Sequence, residues 1–69
     1  MNNVILYTTH CLKCRVLETK LKSKNINYVE ETDETIMRKK NIEFLPMLEV
    51  DGNLMDFATA NVFINNYNN

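Results

Sequence analysis

The chain switches repeatedly between a two-residue and a three-to-four-residue spacing of its apolar positions. Val4-Ile5-Leu6-Tyr7 is apolar on both faces, which predicts a short central strand covered on both sides. From Leu12 the spacing changes. Cys14, Leu17 and Leu21 fall on one stripe of a helix that runs to about Lys24, with Val16 at its flank. Lys13, Arg15, Lys20 and Lys22 point elsewhere, and Glu18 and Lys22 are spaced to pair along the outer face. Asn25 ends the helix. Ile26, Tyr28 and Glu30 then alternate with Asn27 and Val29, predicting a second strand over Ile26 to Glu30.

Thr32-Asp33-Glu34 opens a shorter helix running to about Lys40, with acids at its start and Arg38, Lys39 and Lys40 at its end, as the helix dipole favours. Ile36 and Met37 are its apolar face. Glu30, Glu31, Asp33 and Glu34 read as a solvated strand-to-helix turn. The run from Ile42 to Val50 follows, with the sole proline, Pro46, heading a third strand. Asp51-Gly52 between apolar runs predicts a hairpin into Asn53-Leu54-Met55, so strands three and four are antiparallel. Asp56 is placed to cap a third helix, with Phe57, Ala60, Phe63, Ile64 and Tyr67 as its buried side, and Asn65 to Asn69 as a fraying tail. Phe44, Phe57 and Phe63 are expected in the core.

The expected order is βαβ-α-ββ-α, in which the first two strands are parallel. At 69 residues the chain is expected to be one domain, 1–69, and one this short buries only about 60% of its unfolded surface. A hydrophobic fraction of 45% beside 25% charged residues argues against a disordered tail. A net charge of −1 argues against nucleic acid or a membrane surface as a partner. No apolar run nears the length of a membrane span, and Met1-Asn2-Asn3 lacks the positive start of a signal peptide. A cytoplasmic location is the expectation. In a reducing cytosol a cysteine pair points to catalysis or metal binding.

The two cysteines, Cys11 and Cys14, stand where the first strand gives way to the first helix. A strand feeding a helix through Cys-x-x-Cys is the arrangement expected of a thiol–disulfide redox site. Unpartnered amides at a helix start favour a thiolate, which is the nucleophile of disulfide exchange. Cys14 belongs to the apolar stripe and Cys11 does not. Cys11 is therefore expected to face solvent as nucleophile, and Cys14 to lie behind it as resolving thiol. His10 is a candidate to stabilise the Cys11 thiolate in its cationic form, and Lys13 to tune it electrostatically. Zinc needs four ligands, and His10 alone stands near the pair, so no metal centre is expected within one chain. Two alternatives remain: a dimeric carrier of metal or an iron–sulfur cluster, and a binding module whose site is catalytically degenerate.

Tyr7-Thr8, Cys11-Leu12-Lys13-Cys14, Leu45-Pro46 and Val50-Asp51-Gly52, in this order and spacing, resemble the thioredoxin superfamily, and within it the glutaredoxins and small glutaredoxin-like redoxins. The resemblance spans nearly the whole chain. It implies an α/β fold of glutaredoxin type: a four-stranded mixed sheet of order 2-1-3-4 flanked by three helices. It implies that Pro46 is a cis-proline packed against the dithiol, and that Leu45 presents its backbone to substrate. Leu12, Lys13, Leu45 and Pro46 would then contact substrate, with Cys11 and Cys14 as the catalytic pair. The expected activity is dithiol–disulfide oxidoreduction without a bound cofactor, serving cell redox homeostasis. The implied partner is a protein disulfide, ribonucleotide reductase being one candidate, and the chain is expected to be a monomer.

Departures bear on the electron donor. Leu12-Lys13 stands where the family usually has Pro-Tyr. Thr8 and Thr9 stand where many glutaredoxins carry a glutathione-binding lysine, and Met55-Asp56-Phe57 replaces a Gly-Gly-x-Asp start of the last helix. Glutathione and thioredoxin reductase both stay open as reductants.

Overall fold

Val4-Ile5-Leu6-Tyr7 forms strand β1 (Val4–Tyr7), and the rest of the chain is arranged on its two sides. A computed structural model describes residues 3–67. The order continues with α1 (Leu12–Ser23), β2 (Val29–Glu31), α2 (Glu34–Lys39), β3 (Met47–Val50), β4 (Asn53–Met55) and α3 (Phe57–Asn65). The strands make one mixed sheet of order β2-β1-β3-β4. β1 pairs parallel with β2, opposing Ile5 to Val29, and antiparallel with β3, opposing Leu6 to Leu48. β3 pairs antiparallel with β4. The α/β architecture and three helices follow the pattern of the sequence, and the strand order is the one the resemblance implies. No helix among the described residues is long and apolar enough to cross a membrane.

Both shorter borders come from the way α1 and α2 end. After α1, Asn25 turns to φ 56, its N–H donates to Lys22 O, and the N–H of Ile26 donates to Leu21 O at 3.0 Å. After α2, Asn41 turns to φ 58 and the N–H of Ile42 donates to Met37 O at 2.9 Å. Each is a Schellman stop, in which the residue past the left-handed one folds back on the last turn. Ile26 is thereby spent on closing α1 and buries its side chain beside Leu21. Strand two consequently starts at Val29, three residues later than the alternation predicts, and Val29 itself is 64% exposed. Ile42 likewise closes α2, and the third strand begins only at Met47, after Pro46.

One face of the sheet carries the main core. Val4, Leu6, Leu48 and Val50 pack with Leu17 and Leu21 of α1, Ile26, and Ala60 and Ile64 of α3. Phe57, Phe63 and Tyr67 are half-buried against this cluster, and the Phe63 and Tyr67 rings meet edge-on at 5.7 Å. The other face is of a different kind. There Tyr7, nearly sealed, donates its hydroxyl to Glu49 at 3.2 Å, and Lys40 at the end of α2 donates to the same carboxylate at 2.9 Å. Burial raises the Tyr7 hydroxyl above its ordinary 10.0, with the Glu49 charge adding to the rise. The Glu49 hydrogen bond also raises Lys40 above its ordinary value.

Phe44 and Glu18 depart from expectation, while Val16 keeps to its flank. Phe44, expected in the core, is 75% exposed on the stretch before β3. Val16 is exposed at the edge of the α1 stripe. Glu18 does not reach along the helix to Lys22 but turns to His10. The expected fraying tail falls partly on Asn68 and Asn69, which lie outside the described residues. α3 is helical to Asn65, with Asn66 as its C-cap.

Candidate active site

β1 delivers the chain to the site. Past Tyr7 the N–H of Thr8 still bonds to Glu31 O at 3.1 Å, which extends the β1–β2 edge by one residue. Thr8 is fully buried, and its Oγ1 accepts from the N–H of His10 at 2.9 Å. That bond closes a tight turn in which His10 takes φ 62, a left-handed value uncommon for residues other than glycine. The turn sets Cys11 down as the N-cap of α1.

Thr8 and Thr9 look like natural helix starters, but the cap is a sulfur. Cys11 is extended (φ −70, ψ 174), and its Sγ accepts from the Cys14 N–H at 3.3 Å. Its carbonyl takes the first helical bond, from Arg15 N–H at 2.9 Å. The exposed Sγ of Cys11 thus lies on the free amides and positive end of α1, where a negative charge is favoured. Cys14 is sealed from solvent, one turn behind. Both are free cysteines, and their sulfurs lie 2.7 Å apart.

The Cys14 thiol sits below its ordinary 9.0. Burial is the largest single influence and pushes it up. Hydrogen bonds from the Cys11 thiol, the Thr8 hydroxyl and the backbone at Thr9 and Cys11 together pull it down further. Those hydrogen bonds favour the thiolate form of Cys14. A charge there would be held by the Thr8 hydroxyl, the Cys11 thiol and the backbone at Thr9 and Cys11 instead of by water.

The β1–β3 register, continued one step past Tyr7 and Met47, places Pro46 across from Thr8. The Leu45–Pro46 peptide bond is cis, and Pro46 is fully buried. Beside it runs a groove of about 410 Å³ lined by Lys13, Phe44, Leu45, Pro46, Asp56 and Phe57 among others. Lys13, Leu45 and Pro46 of the anticipated substrate contacts therefore meet in one depression. Leu12 is not on its wall. At 83% exposure it projects freely from the first turn of α1.

The two anticipated tuning residues have other engagements. The Lys13 ammonium stands over the Phe57 ring, 5.6 Å from its centre, and both residues line the groove. His10 Nδ1 is 3.4 Å from Glu18 and Nε2 is 3.8 Å from Glu30. Its imidazole bridges two carboxylates from α1 and β2. Glu30 is thus engaged, and so are its acidic neighbours: Glu31 accepts from the Asp33 N–H, and Asp33 caps α2 by accepting from the Thr35 N–H at 2.8 Å.

Sequence pattern missed Phe44 and Asp56 as groove residues. A phenylalanine before Leu-Pro looks like core until the bend through residues 44–46 turns it outward. For Asp56 the sequence pattern shows only a cap. It does cap α3, accepting from the Thr59 N–H at 2.8 Å, a bond that lowers its pKa, and it faces the groove as well. No family model, curated protein or solved structure matches the chain.

Proposed function

We propose that this chain is a glutaredoxin-like dithiol–disulfide oxidoreductase with the fold of the thioredoxin superfamily. One observation carries the reading: an exposed sulfur at the amide-rich start of α1 lies 2.7 Å from a buried sulfur one turn on. The sheet order, the three helices and the cis Leu45–Pro46 bond across from Thr8 support it.

In the proposed cycle the Cys11 thiolate attacks one sulfur of a substrate disulfide. A Cys11–substrate disulfide forms, the substrate S–S bond breaks, and the departing thiolate takes up a proton. Cys14 then attacks Cys11 Sγ. The internal disulfide forms and the second substrate thiol leaves, also protonated. Two electrons have passed from the dithiol to the substrate. Two glutathione thiols, oxidised to their disulfide, or the dithiol of thioredoxin reductase return them. Cys14 can enter only the second step, because it is sealed from any incoming disulfide. The groove beside Pro46 would take the polypeptide flanking the substrate disulfide, with the Leu45 backbone as its partner. Protein disulfides, such as that of ribonucleotide reductase, and a cytoplasmic setting fit this chemistry.

The test is a pair of variants. Cys11→Ser should lower reduction of insulin or of a mixed disulfide to background. Cys14→Ser should still attack and accumulate a covalent adduct visible by mass. Turnover equal to wild type in both variants would sink the proposal. Offering the oxidised protein glutathione and thioredoxin reductase separately identifies the donor.

A further inference from the structure

His10, Glu18 and Glu30 reach one another from three separate stretches: the turn before α1, the second turn of α1, and β2. One ligand-capable atom of each lies within 4.8 Å of the other two. The three are not equivalent. Glu30 and His10 are open to solvent, whereas the Glu18 side chain is only 13% exposed. Glu18 Oε2 is buried and has no hydrogen-bond partner. His10 Nδ1 comes within 3.4 Å of it, an ion-pair distance without hydrogen-bond geometry. A buried carboxylate oxygen whose nearest partner is an imidazole at ion-pair distance, with no hydrogen bond, is incompletely compensated on its inner side.

We propose that His10, Glu18 and Glu30 bind a divalent first-row cation, zinc(II) being the best match to one imidazole and two carboxylates. An imidazole among the donors disfavours magnesium and calcium, which take oxygen, and the absence of sulfur from the set disfavours copper(I) and clusters. Three protein ligands leave a fourth tetrahedral position for water. Ligand atoms at zinc distances stand about 3.4 Å apart in a tetrahedron, so a set lying within 4.8 Å must close by up to about 1.4 Å at its widest. Glu30, on the solvent side, can make that movement, while Glu18 supplies the fixed inner ligand. The site departs from the expectation that no metal binds within one chain. It does not rest on the redox reading, because none of its ligands is a cysteine.

Thiolates are themselves zinc ligands, so the test removes them. Zinc chloride is titrated calorimetrically into the Cys11→Ser/Cys14→Ser protein and into oxidised wild type at neutral pH. The imidazole resonances of His10, the chain's single histidine, are followed in parallel. One zinc per chain should bind in both forms and shift the His10 ring. Loss of outer-shell partners alone costs about 10–100-fold in metal affinity, so Glu18→Gln and His10→Asn should cost at least about tenfold. Asparagine is chosen because it tolerates the left-handed backbone at this position. If Glu18→Gln fails to fold, Glu30→Gln on the exposed strand carries the same expectation. The exposed Glu43→Gln should bind as the parent does. Zinc binding that disappears with the thiols, His10 resonances unmoved at millimolar zinc, or full affinity in the ligand variants would overturn the proposal.

Discussion

At the scale of single residues, the two cysteines differ through their surroundings. Cys11 is open and Cys14 is closed, and the same helix start serves both. Their chemistry has a thermodynamic signature. The fold holds the Cys14 thiol below its ordinary 9.0, so between those two values the unfolded chain binds more protons there. The stability of the reduced protein should therefore rise with pH toward about 9, and the gain should fade as pH falls through the folded value. Urea midpoints of reduced wild type and Cys14→Ser, compared across that window, check this. Parallel curves would remove the charge from Cys14. The spacing and the apolar stripe made this inside–outside division legible, since position 14 shares a face with Leu17 and Leu21. The partners of His10, Lys13 and Glu18 were not legible. Each long side chain is claimed by a residue of another element, Glu30 or Phe57, or by the turn before α1, and a one-dimensional pattern carries no such distances. Phe44 shows the converse error, an apolar residue turned outward by the bend it sits on.

At the scale of elements, order and type were legible because each rests on local chemistry: a stripe, a cap, an Asp-Gly turn. Borders were less so. The alternation at Ile26 looks like strand, but the backbone there is committed to ending α1. The hairpin is the sharpest case of local control. Asp51 and Gly52 have φ of 50 and 88, the paired positive values of a type I′ turn. Nothing lies within 4 Å of where a Cβ on Gly52 would be. A substitution there strains the backbone without a clash. Gly52→Ala should thus cost about 1–2 kcal/mol, and Gly52→Asn clearly less, because asparagine enters the left-handed region more readily. Chemical denaturation measures both. Equal losses in the two variants would show that packing, not backbone, sets the cost.

At the scale of the whole molecule, the sheet has two unlike sides. One is sealed by α1 and α3 over a continuous apolar core. The other carries a polar knot in which Tyr7 and Lys40 grip Glu49. The apolar pattern made the first side legible. It was blind to the second, where a buried carboxylate takes a place that hydropathy assigns to solvent. The six-residue helix α2 depends on that knot for its seat. Such a short helix does not persist in isolation. Opening it exposes little apolar surface, whereas opening α1 exposes the main core. Amide hydrogen exchange should therefore be graded across the sheet. The amides of α2 should exchange through a low-energy local opening, and those of β1 and α1 only with global unfolding. The molecule has one soft flank and one hard one, and the dithiol is built into the hard one. Uniform protection across α1 and α2 would erase that distinction.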